Sequence, residues 1–290
     1  MARPRRIDVA ALNIKMHPHS HDRYIQLIQI AYQYGIVGKI RGDDFGMLGS
    51  LKEEKWDGAR YIHGYLYKFL NINPEDPWLD FEKRQPILSE KGDPIPQVPE
   101  HLKPNLRTVR YVFDPRYHRL FFEAHILSPG SARRLFSGIF ADRKILKKYG
   151  PIDVELETSQ EALERILKIP KLMTLEIIVT RPNQDDISGE ERRILERLEK
   201  QRARKLEEKL SSVKSDTLRP DEETRGHMKA ALSNGRVTGR GYDQQDQRVV
   251  ESTESHPMIE RALYDPNRDN LLEVFLEAVQ KLLRRIRRRE

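Results

Sequence analysis

Cysteine is absent from this 290-residue chain, and that absence removes several chemistries. No disulfide framework can form, no thiolate can act as a nucleophile, and no Cys-ligated zinc or iron–sulfur site can be built. The same usage fits a reducing compartment, so a cytoplasmic location is the expectation. Long apolar runs are missing too. Nothing approaches the roughly 18–20 residues that a membrane-spanning helix needs, and no apolar stretch follows the basic start, Met1 to Arg6, so no secretory signal is expected. Walker, dinucleotide-binding and serine-elbow motifs are absent. The Gly46-to-Gly49 turn lacks the helix and lysine of a phosphate loop. No repeat of fixed period appears.

What is present is enough for a sizeable core. Hydrophobic residues make up 38% of the chain and charged residues 33%, which suits one large domain or two modest ones. The net charge is +7, which favours anionic partners, nucleic acid first.

Periodicity supplies the elements. Residues 7–15 read as a strand on the alternation of Ile7, Val9 and Ala11. Ser20 caps a helix over 21–34 that Gly35 ends. Residues 36–70 read as strands joined by Gly-rich turns, and the proline-rich 71–106 as an irregular connection. RTVRYVFD and YHRLFFEAH form a hairpin around Asp-Pro-Arg. A helix over 131–148, the strand IDVELE, a Thr158–Glu161 capping box with a helix to 168, and the buried strand KLMTLEIIVT follow. The order ββαβαβ over 107–180 predicts a ferredoxin-like antiparallel unit. A second capping box, Ser188–Glu191, opens a charged helix to about 210. A helix over 221–233 precedes a polar segment, 236–254, read as an exposed hairpin or mobile loop. The last helix, 269–289, is amphipathic, with Leu272, Phe275, Leu276, Val279, Leu283 and Ile286 on one face. The expected class is α+β: antiparallel sheets with packed helices. The expected division is a strand-rich N-terminal region over 1–106, the core over 107–180 and a helical C-terminal region over 181–290.

Several phrases in combination, LGSL at 48–51, HGYLYKF and NINPEDPWLD within 63–80, VFDPRYHRLFFE, LEIIVTRPNQDD at 175–186, SNGRV, and EST with HP at 251–257, resemble the bacterial family known as domain of unknown function 4747. The resemblance spans roughly residues 5–265 and leaves the arginine-rich end outside. It implies a prokaryotic cytoplasmic protein of a kind met on mobile or defence-associated DNA. It supplies no catalytic residues.

Four constellations are candidates for chemistry. His17, His19 and His21 alternate and would offer metal ligands, but the loop around Pro18 fixes no geometry, and no metal or other cofactor is expected. Asp44, Glu53 and Lys55 have the order of a metal-dependent nuclease, although residues 52–57 look like a turn. His63 or His118, with Tyr117 nearby, would serve as base in metal-free RNA cleavage; His118 and His125 lie on opposite faces of one strand. Asp153, Glu155 and Glu157 share one strand face, read as the wet face of an edge strand.

The favoured reading is a nucleic-acid-binding or sensing protein, for DNA or RNA, without catalytic activity, within an anti-phage defence system. Its cations are the arm Arg3, Arg5 and Arg6, the cluster Arg133, Arg134, Arg143, Lys144, Lys147 and Lys148, and the terminal Arg284, Arg285, Arg287 and Arg288. The alternatives are a nuclease and a protein-interaction subunit, within a defence complex or as a homo-oligomer.

Overall fold

The computed structural model describes residues 3–56, 58–73, 76, 78–87, 99–183, 189–213 and 216–289. The strands are β1 (Arg5–Lys15), β2 (Gly38–Arg41), β3 (Asp44–Leu48), β4 (Lys52–Trp56), β5 (Ala59–Leu70), β6 (Trp78–Asp80), β7 (Gln85–Ile87), β8 (Arg107–Asp114), β9 (Arg119–Glu123), β10 (Asp153–Leu156), β11 (Lys171–Thr180), β12 (Lys205–Ser211), β13 (Gly235–Tyr242), β14 (Arg248–Ser252) and β15 (Ile259–Tyr264). The helices are α1 (His21–Gln33), α2 (Pro129–Phe140), α3 (Arg143–Tyr149), α4 (Gln160–Leu167), α5 (Gly189–Lys200), α6 (Glu222–Asn234) and α7 (Leu271–Arg289). The expected α+β class with antiparallel sheets and a C-terminal helix is what the chain forms.

The large sheet runs β10-β1-β9-β8-β5-β3-β2, with β15 also on β1 and β4 also on β5. Strand β1, which pairs with β9, β10 and β15, is buried on both faces, where the sequence suggested one. Ala10, Leu12 and Ile14 pack under α1, α2 and α3. Ile7, Val9 and Ala11 face the other way, beneath α7. That helix docks through Phe275, Ala278, Val279, Leu282 and Ile286, whereas Leu272, expected on the buried face, is exposed.

The second sheet runs β12-β11-β13-β14. Helices α4, α5 and α6 join it in a separate core that includes Ile166, Leu175, Ile177, Leu198 and Val237. The expected ferredoxin-like unit is therefore not formed: β8, β9 and β10 lie in the large sheet, while β11 pairs with β12 and β13. Pairing also runs across the expected boundaries, since β1 bonds to β9, β10 and β15.

Other local expectations are corrected by particular residues. The helix over 131–148 is two helices, because Asp142 caps α3 by accepting from Lys144 N. Gly150, at φ 74°, then stops α3, in the left-handed region where glycine is unstrained. Thr158 does not cap α4; its hydroxyl donates to Leu232 O at 2.9 Å. The charged helix to 210 ends at Lys200, and Lys205–Ser211 is the strand β12. There Leu206 and Leu210 pack against the core at the period of two. Residues 236–254 are the hairpin β13–β14, and β13 lies inside the sheet. Lys52–Trp56 is a strand rather than a turn, and 71–106 contains the small ribbon β6–β7. Ser188 of the second capping box lies outside the described residues.

Candidate functional site

The two sheets meet along a polar seam, laid down by the same alternation that builds β1. Its odd-numbered face is apolar up to Ala11 and polar after it, at Asn13 and Lys15. On that face Asn13 pairs with Arg119 of β9 and Glu155 of β10, and Lys15 with Asp153. The carboxylates expected on a wet edge therefore face the second sheet. Glu157 is fully buried and takes Arg119 Nε at 2.6 Å and the Ser233 hydroxyl at 2.8 Å. Arg119 also donates to Asn13 Oδ1 at 2.8 Å, and Asn13 Nδ2 donates to Ser233 O at 2.9 Å. Lys15 Nζ donates to Thr180 Oγ1 and to Asn234 Oδ1. Asn234 Nδ2 in turn donates to Glu191 Oε1 at 2.6 Å. Gly235 follows, and a Cβ there would lie 1.9 Å from Ile178 O. Only glycine lets α6 run straight into β13 at that spacing.

Burial governs the seam's charges. Desolvation lowers the Lys15 ammonium to about 8, against the opposing pull of Glu155 and Asp153. It also raises the Glu155 carboxyl, despite the cations Lys15 and Arg133. Both groups are thus pushed towards their neutral forms.

Outside the seam, along β10, two cavities of about 620 and 470 Å³ share Asp153 and Arg204 and form one cleft. Lys39 and Arg41 of β2 and Arg133 and Arg134 of α2 line its first section. His17, Arg181 and Arg202 line the second. Seven lysines and arginines face three carboxylates, Asp153, Glu155 and Glu199. Arg204 spans the cleft, with Nη2 2.6 Å from Asp153, and Arg181 pairs with Glu199. Arg143, Lys144, Lys147 and Lys148 of α3 are all exposed, and none of them lines the cleft.

The residues chosen from sequence lie in several places. Asp44 pairs with Lys68 and Glu53 with Arg60. On β5 their cross-strand partners are Leu70 and Ile62, which separates them by roughly 26 Å at the rise of a strand. Lys55 lies opposite Arg60, so this trio does not converge. His63 is on the α7 face opposite Val112, 3.3 Å from Glu54. His118 is buried on the other face, with its ring against Tyr24 and His19. Desolvation, then Arg119, holds it down to about 2, so it is neutral and shielded from solvent. His17 reaches Arg181 O, His19 reaches His118, and His21 is exposed. Among the described residues no three His, Asp or Glu form a metal cluster. Arg3, Arg5 and Arg6 are exposed at the far end of β1. Arg284, Arg287 and Arg288 are exposed on α7, whereas Arg285 is tied to Glu260 at 2.8 Å. Arg287 lies 5.0 Å from the Tyr117 ring, beside Arg116 at 5.3 Å.

The sequence pointed to Arg133 and Arg134 of the cleft but not to Asn13, Lys15, Arg119 or the cleft's Arg41, Arg181, Arg202 and Arg204. A polar Asn-x-Lys ending an otherwise apolar strand was the available signal. No helix among the described residues is long and apolar enough to cross a membrane. No curated protein matches the chain. A family model described as a domain of unknown function, DUF4747, matches residues 5–281. That span takes in both sheets, the seam and most of α7, and leaves Arg284 to Arg289 beyond it. The chain belongs to the DUF4747 family.

Proposed function

We propose that this protein binds nucleic acid along the cleft between its sheets and performs no chemistry on it. One observation carries the reading: a concave surface in which seven cations oppose three carboxylates. A groove with an excess of positive charge between low-dielectric walls concentrates a polyanion, and released counterions supply sequence-independent affinity. The seam's catalytic-looking groups, Lys15 and Glu157, are buried and engaged with the opposite sheet, so they hold the cleft's walls together. A role in anti-phage defence, implied by the family resemblance, belongs to the same proposal. Enrichment of phage nucleic acid on the protein purified from infected cells supports that role; identical cargo from uninfected cells opposes it.

Anisotropy of labelled duplex across a salt series tests the binding. Engaging about three to five phosphates gives a log–log slope of roughly −3 to −5. Lys39→Ser with Arg41→Ser removes two exposed cations and flattens the slope by about 2 units. An unchanged slope, or no binding at low salt, refutes the reading.

A further inference from the structure

The second section of the cleft differs from the first. Its cavity of about 470 Å³ gathers Arg181, Arg202 and Arg204 with His17, against Asp153 and Glu199. The basic side chains come from three places in the chain, the His17-Pro18 loop, the end of β11 and the α5–β12 turn, and the carboxylates from β10 and α5. Arg181 and Arg204 are neighbours because Arg181 N donates to Arg204 O at 3.0 Å, extending the β11–β12 ladder by one rung. Arg204 spends Nε and Nη2 on Asp153, and Arg181 spends Nη2 on Glu199. Each guanidinium carries five donors in a fixed fork, so donors remain on both. The Nε of Arg181 is buried with no hydrogen-bond partner among the described residues. Arg202 adds a third guanidinium from a residue at φ 52°, following α5. Glycine is the usual occupant of such a position, and a costly conformation at a cavity wall is a mark of function.

We propose that this cavity takes a phosphate monoester, the phosphorylated end of a nucleic-acid strand whose backbone lies in the rest of the cleft. The inference rests on the binding reading above and adds the recognised group. A diester along the strand carries one charge, whereas a terminal monoester carries about −1.5 to −2 at neutral pH and three acceptor oxygens. Three guanidinium forks in one small cavity match that demand, and bidentate pairing favours it over a passing diester.

The test uses the full chain and three otherwise identical single-stranded oligonucleotides, phosphorylated at the 5′ end, at the 3′ end or at neither. Binding is read by anisotropy with the label at the opposite end, and the mononucleotide AMP is a competitor. The expected result is a preference of about tenfold or more for one phosphorylated end. Arg181→Gln and Arg202→Gln each reduce that preference towards one, and weaken the unphosphorylated strand by a smaller factor because each also removes one cleft cation. Equal affinity for all three strands overturns the inference and leaves the cleft reading standing. No binding of any strand overturns both. AMP competing at the oligonucleotide's own affinity overturns the strand-end assignment in favour of a free nucleotide.

Discussion

Replacing Arg119 by Met tests whether the large sheet's side of the seam is held by buried charge. The Glu157 carboxylate is fully buried and Arg119 is 7% exposed, with 2.6 Å between Nε and Oε1. Removing one partner of such a pair costs about 3–5 kcal/mol. An independent bound comes from proton chemistry. A stranded carboxylate can take up a proton, and at pH 7 that costs about 4 kcal/mol from a reference pKa of about 4.3. The two routes agree, and the second adds a signature. In the variant the folded carboxyl titrates above its unfolded value, so the variant's folded state binds the extra proton. The penalty is therefore large at pH 7 and shrinks to about 1 kcal/mol at pH 5. Urea unfolding followed by circular dichroism reads it. With a slope near 3 kcal/mol/M, the pH 7 midpoint falls by just over about 1 M. Adding Glu157→Leu should return most of the loss, because an apolar pair of similar volume is tolerated where a lone charge is not. A cost below about 1 kcal/mol at both pH values would refute the reasoning, since it would mean the seam is wet.

Further outcomes follow from other residues. Lys15 titrates near 8 folded and about 10.4 unfolded, so the unfolded state binds more protons between those values. Stability should rise with pH across that window by about 3 kcal/mol, and Lys15→Met should abolish the rise; urea midpoints at pH 7.5 and 10.5 decide it. Gly235→Ala forces a Cβ to 1.9 Å from Ile178 O and should lower stability by about 2–3 kcal/mol, whereas Gly130→Ala, which meets nothing nearer than 3.7 Å in α2, should raise it slightly; thermal melts of both check this. Arg284→Ser with Arg287→Ser and Arg288→Ser should flatten the salt slope by about 2–3 units without loss of helix. An unchanged slope by anisotropy would assign that end to a partner protein or to solubility.

The elements whose burial pattern has one period were legible in the sequence: α1 with its Ser20 cap, the β8–β9 hairpin, β11, α6 and α7. Those that failed did so where two periods compete. KLEEKLS continues the helix α5 in charge pattern, yet Leu206 and Leu210 also fit a strand, and the cross-strand ion pair of Glu176 with Lys209 favours it. The carboxylate row of β10 looked wet because its counter-charges, Arg119, Arg133 and Arg204, are distant in sequence. The cleft was illegible for the same reason. Lys39 and Arg41, Arg133 and Arg134 of α2, and Arg181 with Arg202 and Arg204 are brought together only by the tertiary fold. Of the charge clusters visible as runs, Arg133 and Arg134 line it, and the runs at Arg143–Lys148 and on α7 do not.

β1 also bears on how the chain reaches this state. It has no neighbour in sequence among its partners: Val9 pairs with Glu123, Lys15 with Asp153 and Arg5 with Tyr264. The hairpins β8–β9 and β13–β14 close over short loops, but β1 gains its pairing only after three distant segments are in place. Contacts of such long separation form slowly. Until they do, a strand apolar on both faces stays uncovered, and it is the segment most open to pairing with another chain. Pulse-labelled hydrogen exchange should find the amides of Val9 to Ile14 protected after those of β11 and β13. Earlier protection of β1 would mean that the large sheet assembles around it rather than onto the hairpins.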